Sequence, residues 1–160
     1  MANTNDLQNI RQLCICVRDF EKTVQRYEAV LGIRFYSFTV DAGQIPGFIY
    51  RGKQATYSIK VGKALVGGWE LEIISPVKGK SFYDEFLKEH GDGLHHVGIF
   101  VKDFPAAEKQ LLKNGFKSVL KGPIVSNERT GSFEYFEPDP GLGVIIELLD
   151  DPGAPAGFVE

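Results

Sequence analysis

Hydrophobic and polar residues follow the same order twice along the chain. The segment 11–20, RQLCICVRDF, matches the segment 95–104, HHVGIFVKDF, in its pattern. Each copy starts as an alternating, strand-like run and passes through an aspartate into a helical stretch that ends at a glycine, Asp19 to Gly32 and Asp103 to Gly115. The repeat therefore predicts two modules that each begin with a strand and a helix.

Three further strands are predicted after each of these helices. In the first module they cover 33–40, either 47–50 or 55–60, and 69–75; in the second they cover 116–121, 131–137 and 143–149. A helix over 81–90, capped by Ser81 and ended by Gly91, joins the modules. We expect one α+β domain over 1–160, with module one at about 10–75, the connecting helical segment at 76–94 and module two at about 95–149.

Strand parity sorts the side chains of these strands onto two faces, because alternate residues of a strand point the same way. One face is uniformly apolar and should be covered by helices: Leu13, Ile15, Val17, Leu71, Ile73, Val97, Ile99, Val101, Ile146 and Leu148. The other face mixes polar groups with an apolar wall, as ligand pockets do. It carries Gln12, Cys14, Cys16, Glu70, Glu72, Ile74, His96, Gly98, Phe100, Ile145, Glu147 and Leu149.

Four polar residues of this second face occupy equivalent positions of the repeat. Gln12 matches His96, and Glu72 matches Glu147, so a fold that pairs the modules about a pseudo-twofold axis brings them together. One imidazole, two carboxylates and one amide oxygen suit a divalent cation such as Zn, Ni, Co, Mn or Mg. We therefore predict that Gln12, Glu72, His96 and Glu147 bind one divalent metal ion.

Other polar residues near this set have different expected roles. Glu70 lies on the same strand face as Glu72 and is its chief competitor for the role of metal ligand. His95 lies on the opposite face from His96 and should point away from the metal site. His90 lies in the last turn of the connecting helix. Because the helix dipole favours a cation at the C-terminus, His90 is expected to have this structural role. Cys14 and Cys16 are interpreted as pocket wall, because no nucleophile motif accompanies them.

The composition of the chain indicates which classes of binding partner are expected. The 160 residues carry 18 Lys and Arg against 21 Asp and Glu, a net charge of −3, so neither nucleic acid nor an anionic membrane is an expected partner. We expect a small-molecule substrate. The first residues, MANTNDLQNIRQ, do not follow a secretory-leader pattern and no run of 18 apolar residues occurs, so we expect a soluble, cytoplasmic protein. Its two cysteines, two apart on one strand, are expected to be free thiols, which suits the cytoplasm.

The strongest family resemblance is carried by Val17-Arg18-Asp19-Phe20, Gly93-Leu94-His95-His96-Val97-Gly98-Ile99 and Ile146-Glu147-Leu148. In these segments the chain resembles the vicinal-oxygen-chelate superfamily of glyoxalases, bleomycin resistance proteins and dioxygenases, over about residues 10–149. The resemblance implies two tandem βαβββ modules that form a cup-shaped, barrel-like mixed sheet with the helices outside. It also implies a homodimer.

Two enzyme branches of the superfamily are the most similar. The stretch from Leu71 through the 81–90 helix to His96 resembles methylmalonyl-CoA epimerase, in which the four positions above are the metal ligands. The ligand set Gln, Glu, His, Glu is similar to that of glyoxalase I, in which the last glutamate both binds the metal and moves the proton. The resemblance thus implies a metalloenzyme, a lyase or isomerase, with Glu147 as its catalytic residue.

A function without catalysis is the alternative. The superfamily also contains drug-sequestering proteins of the bleomycin-resistance type, which keep the cup and lack the metal. A metal-free, small-molecule-binding protein is therefore the second hypothesis. A site that holds stoichiometric metal would favour the enzyme.

Overall fold

The structure, a computed structural model, describes residues 6–126 and 128–158. In these ranges it contains the helices α1 (Phe20–Leu31), α2 (Phe82–His90) and α3 (Phe104–Lys113). The strands there are β1 (Ile10–Cys16), β2 (Tyr36–Asp41), β3 (Ile49–Tyr50), β4 (Lys53–Gln54), β5 (Ser58–Val66), β6 (Trp69–Lys78), β7 (Gly93–Phe100), β8 (Ser118–Ser126), β9 (Arg129–Phe136) and β10 (Ile145–Asp150). Parallel and antiparallel pairs both occur, so the predicted α+β class with a mixed sheet is confirmed.

Both βαβββ modules are present in this element order. The first is β1–α1–β2–β5–β6, with the short β3–β4 hairpin inserted, and the second is β7–α3–β8–β9–β10. Both of the alternatives predicted for the middle of module one are strands. They differ in partner, because β5 pairs with β2 and β6, whereas β3 pairs with β4 and β8.

Side-chain caps explain where the helices begin. The Asp19 carboxylate accepts the Lys22 backbone N–H at 3.0 Å and the Asp103 carboxylate accepts that of Ala106 at 3.0 Å, which satisfies amides that the first helical turn leaves without partners. Ser81 and Asp84 form a reciprocal capping box at the start of α2. All three predicted helix starts are confirmed. Within the described ranges, no helix has both the length and the hydrophobicity to span a membrane.

Residue contacts divide the chain into two compact units. The N-terminal unit consists of residues 12–46 and 55–96. Its strand order is β2–β5–β6–β1, followed by the first half of β7, and only the β1–β6 pair among those with a described register is parallel. Val17, Phe20 and Ile73 form its buried apolar cluster beneath α1.

The C-terminal unit consists of the described parts of 1–11, 47–54 and 97–160. Its strand order is the second half of β7, then β10, β9, β8, β3 and β4. Its apolar core lies between the sheet and α3, and is formed by Ile99, Val101, Ala107, Leu111, Phe136, Ile146 and Leu148. Four of these residues, Ile99, Val101, Ile146 and Leu148, belong to the predicted apolar face. Ala107 and Leu111 belong to α3, and Phe136, which the prediction did not include, to β9.

The predicted burial of the apolar face is wrong at one end of β1. Leu13 is 37% exposed, and in α1 only Phe20 is buried, while Leu31 is 62% exposed. The helix therefore covers Val17, directly after the C-terminal end of β1, and leaves the start of that strand open. By contrast, the polar face of β1 is fully buried, with Gln12 at 1% and Cys14 at 0% exposure.

Candidate metal centre

Strand register in the N-terminal unit brings a set of polar side chains to one place. In the parallel β1–β6 pair Gln12 lies beside Glu70 and Cys14 beside Glu72, and in the antiparallel β5–β6 pair Lys63 lies beside Glu72. Paired residues of neighbouring strands point to the same face of a sheet. With His96 from β7, they form the polar cluster: Gln12, Cys14, Lys63, Glu70, Glu72 and His96.

Glu70 is held by two partners within this cluster. The Gln12 amide nitrogen donates to Glu70 Oε1 at 2.7 Å, and the Lys63 ammonium lies 3.0 Å from the same oxygen. A buried carboxylate in this position is both hydrogen-bonded and neutralised, as burial of charge requires. Gln12 and Lys63 therefore already bind the Glu70 carboxylate. Glu72, and not Glu70, remains the candidate metal ligand.

Glu72 faces the imidazole of His96 instead. Its Oε2 lies 3.5 Å from His96 Nε2 and has no hydrogen-bond partner, although the side chain is buried. Burial raises the pKa of Glu72, but the His96 imidazole, the Lys63 ammonium and the Cys14 thiol together lower it below its ordinary value. Glu72 is therefore an anion at neutral pH with one oxygen available to a ligand.

Three donor atoms of different kinds meet at Glu72. One ligand atom each from Cys14, Glu72 and His96 lie within 4.8 Å of one another, and all three residues are buried. The Gln12 amide oxygen adds a fourth donor, 3.0 Å from His96 Nε2. A thiol, a carboxylate, an imidazole and an amide oxygen are all ligands that divalent metals use in proteins, so this donor set fits such an ion.

His95 orients the His96 ring from the other side. As predicted, its side chain points away from the site, into an aromatic group formed by Phe82, Tyr83 and Phe86. Its Nδ1 nevertheless lies 2.9 Å from His96 Nδ1. Burial and the neighbouring His96 and His90 lower the pKa of His95 well below its usual range, so its ring is neutral.

The contact between the two imidazoles governs which nitrogen of His96 is available. Because the Gln12 amide nitrogen donates to Glu70, the Gln12 oxygen accepts from His96 Nε2–H, and His96 Nδ1 then accepts from His95 Nδ1–H. A metal ion at Nε2 would require the other tautomer, in which His96 Nδ1–H donates to His95 Nδ1. Metal-binding histidines are commonly fixed in this way by a partner on the other ring nitrogen. The sequence predicted that His95 would point away, but not that it would touch His96.

Glu147, the fourth predicted ligand, belongs to the C-terminal unit. It is buried on β10, where antiparallel pairing sets it opposite Tyr135 of β9. Its membership of the metal site stays a prediction. Cys16, predicted as wall, is buried with its Sγ 3.8 Å from the Tyr83 carbonyl oxygen. Burial and the charges of Asp92 and Asp84 raise the pKa of Cys16 to about 12, so it remains a thiol.

Sequence reasoning did not assign roles to two of the charged residues described here. Lys63 was overlooked because the predicted strand ended at residue 60, whereas β5 continues to Val66. Continuing the alternation of Ile59 and Val61 by one step would have placed Lys63 on their face. Glu134 is buried on β9 opposite Leu148, on the face that carries the core of the C-terminal unit.

Comparisons with known proteins agree with this fold. Residues 11–136 match the sequence model of the glyoxalase/bleomycin resistance protein/dioxygenase superfamily. The fold is similar to methylmalonyl-CoA epimerase from Mycobacterium tuberculosis, at 21% identity over 97% of this chain and 94% of that chain, with a TM-score of 0.67. No curated protein sequence matches the chain.

Two further solved structures are similar in fold. A variant of Streptomyces coelicolor methylmalonyl-CoA epimerase in complex with 2-nitronate-propionyl-CoA gives a TM-score of 0.66 at 18% identity, covering 91% of this chain and 97% of that one. A hypothetical protein from Bacillus halodurans C-125 gives a TM-score of 0.60 at 19% identity, covering 87% of this chain and 91% of that one. At these identities the similarity concerns the fold.

Proposed function

Because the chain belongs to the glyoxalase/bleomycin resistance protein/dioxygenase superfamily, we propose that it is a metal-dependent isomerase or lyase. The reaction is the movement of a proton on the carbon next to a carbonyl. The observation that carries the proposal is Oε2 of Glu72, a buried anionic oxygen without a hydrogen-bond partner, 3.5 Å from His96 Nε2. A binding pocket for a neutral ligand has no need of such a pair.

Gln12, Glu72, His96 and Glu147 are the proposed ligands of one divalent ion. The first three are supported by their contacts in the N-terminal unit, and Glu147 by its equivalence to Glu72 in the sequence repeat. A divalent ion in this set would act as a Lewis acid on a carbonyl or enolate oxygen, a contribution of several kcal/mol.

Glu147 is the proposed catalytic residue of this reaction. Its carboxylate would take the proton from the carbon next to the carbonyl and return it, a role worth about 100- to 10,000-fold in rate. Burial suits such a role, because a base that is shielded from water transfers its proton to substrate rather than to solvent.

The proposed proton transfer requires a substrate with an acidic C–H bond next to a carbonyl group. Two classes fit the proposal, a CoA thioester, as in the structurally similar epimerases, and a hemithioacetal, as in glyoxalases. Both present an acidic carbon beside a carbonyl or its equivalent. We place the enzyme, by resemblance, as a cytoplasmic homodimer, and its two buried cysteines, which are not in a disulfide, suit a reducing compartment.

One observation favours the metal-free binding protein as a second candidate. Lys63 lies 3.0 Å from Glu70 and 3.7 Å from Glu72, so one ammonium group already offsets part of the negative charge of the cluster. A protein of the bleomycin-resistance type would keep this internal pair and bind its ligand without an ion.

Metal analysis of untagged protein distinguishes the two candidates. We expect about one divalent ion per chain by elemental analysis, and its loss in the variants Gln12→Ala, Glu72→Ala, His96→Ala and Glu147→Ala. The matched control is His90→Ala at the exposed end of α2, which should retain the ion. The exchange of substrate C–H for deuterium in D₂O then tests thioesters and hemithioacetals for proton transfer.

Two outcomes would contradict the proposal. One is protein that holds no ion after incubation with Zn, Ni, Co and Mn, which would favour the binding protein. The other is an ion whose occupancy is the same in the His96→Ala and His90→Ala variants, because the ion would then lie elsewhere.

A further inference from the structure

Cys14 was interpreted from the sequence as pocket wall, but its sulfur lies among the donor atoms of the candidate metal centre. We propose that Cys14 binds the metal ion as a thiolate, together with Glu72 and His96, and so restricts the site to thiophilic divalent metals such as zinc and cobalt. This inference rests on the proposed function, since it names an additional ligand of the same ion.

The backbone fixes Cys14 in this position. The parallel register of β1 and β6 sets Cys14 beside Glu72, with the two side chains on one face, and the Cys14 thiol interacts with the Glu72 carboxylate. The donors of Cys14, Glu72 and His96 lie within 4.8 Å of one another. Zinc–ligand bonds of about 2.0–2.3 Å keep any two ligand atoms within about 4.6 Å of each other, so small side-chain rotations are sufficient to close the site.

In the N-terminal unit, one carboxylate remains for the ion beside the Cys14 thiol. Lys63 and Glu70 form an ion pair at 3.0 Å, which leaves Glu72 as the carboxylate whose Oε2 has no hydrogen-bond partner. Glu72 and Glu147, the two proposed carboxylate ligands, already balance a divalent charge, so the case for Cys14 rests on the position of its sulfur beside Glu72 and His96. On binding, a metal–sulfur bond forms, the S–H bond breaks, the proton passes to solvent, and no electron is transferred.

Cys16 provides a natural contrast on the same strand. It is as buried as Cys14, but its sulfur lies 3.8 Å from the Tyr83 carbonyl oxygen, and it is not a member of the donor group. Sulfur ligands select zinc and cobalt over magnesium and manganese, which prefer oxygen. A thiolate at Cys14, and not at Cys16, therefore predicts a definite metal preference.

Cobalt titration provides the test, with Cys14→Ser and the matched control Cys16→Ser. Protein freed of metal is titrated with Co²⁺, and sulfur-to-cobalt charge transfer is followed in the near-ultraviolet while visible bands report binding itself. We expect the charge-transfer band in the wild type and in Cys16→Ser, its loss in Cys14→Ser, and at least about tenfold weaker cobalt binding by that variant.

The result that overturns the inference is distinct from the one that overturns the proposed function. Stoichiometric cobalt binding by the wild type without the charge-transfer band excludes Cys14 as a ligand and leaves the metal enzyme intact. No cobalt binding by the wild type removes both. If Cys14→Ser fails to fold, X-ray absorption of the zinc-loaded wild type decides, because a sulfur ligand lies at about 2.3 Å and nitrogen or oxygen ligands at about 2.0–2.2 Å.

Discussion

Each unit buries a glutamate on a strand, and the two carboxyl groups acquire opposite properties. In the N-terminal unit Glu72 lies beside His96 and Lys63, and these neighbours lower its pKa despite burial. In the C-terminal unit Glu134 lies on the core face; burial, with the Glu108 carboxylate adding to it, raises its pKa. Burial alone therefore does not decide the charge of a glutamate in this fold.

The opposite pKa shifts of Glu72 and Glu134 indicate which strand face can hold a charged ligand group. Glu72 shares its face with nitrogen, sulfur and amide donors, so its negative charge persists and can serve a cation. Glu134 shares its face with Phe136 and Leu148 of the apolar core, where burial raises its pKa. A buried carboxylate becomes a candidate ligand only where neighbouring groups stabilise its charge.

The largest effect expected of any substitution falls on Glu147, the residue of the C-terminal unit that the repeat equates with Glu72. Glu147→Gln keeps the shape of the side chain and removes its basicity, so turnover should fall about 100- to 10,000-fold. The measurement is the rate of deuterium incorporation into substrate. Glu134→Gln, in the same unit, should leave that rate unchanged.

Equal rates for Glu147→Gln and the wild type would show that the proton is moved by another group. In that case the equivalence between the two modules would extend to sequence and fold but not to chemistry. Circular dichroism of the variant excludes loss of structure as the reason for a lower rate.

Local signals in the sequence were sufficient for most of the fold. Asp19, Ser81 and Asp103 cap the helices that their positions predicted, and both modules have the predicted order of strands. Caps and alternation act over a few residues, so they can be read without knowing the tertiary structure. The same alternation set Gln12, Glu72 and His96 on one face, and the structure brings these three together.

Properties that depend on strand register could not be obtained in this way. The role of Lys63 requires knowing that β5 continues to Val66 and pairs residue 63 with Glu72. The contact of Cys14 with Glu72 depends on the β1–β6 register, and the exposure of Leu13 on how far α1 extends over β1. Each of these is a relation between distant segments, which no local pattern contains.

A smaller effect is expected at His95, a positioning residue that acts through His96. His95→Phe keeps an aromatic ring among Phe82, Tyr83 and Phe86 but removes the nitrogen 2.9 Å from His96 Nδ1. Metal affinity should fall about 10- to 100-fold, as when the outer partner of a metal-bound histidine is lost. Competition with a chromophoric chelator measures the affinity. Unchanged affinity would mean that His96 is oriented by its other contacts.

The smallest effect concerns how stability depends on pH, and it tests the contrast between Glu134 and Glu72 directly. A raised pKa means that the folded protein binds the Glu134 proton more tightly than the unfolded chain does. The wild type should therefore lose stability as pH rises from the ordinary pKa of a glutamate, 4.5, through the raised value. Glu134→Gln should remove this loss, on the order of 1 kcal/mol for each pKa unit, in urea unfolding.

Glu72→Gln, measured in metal-free protein, should change the pH profile in the opposite direction. Because the folded-state pKa of Glu72 is lowered, its contribution to stability is present above the unfolded-state pKa and disappears as pH falls through the lowered value. The Glu134→Gln variant should thus gain on the wild type as pH rises, and the Glu72→Gln variant as pH falls. Profiles with the same slope would mean that burial, and not the neighbours of each carboxylate, controls both groups.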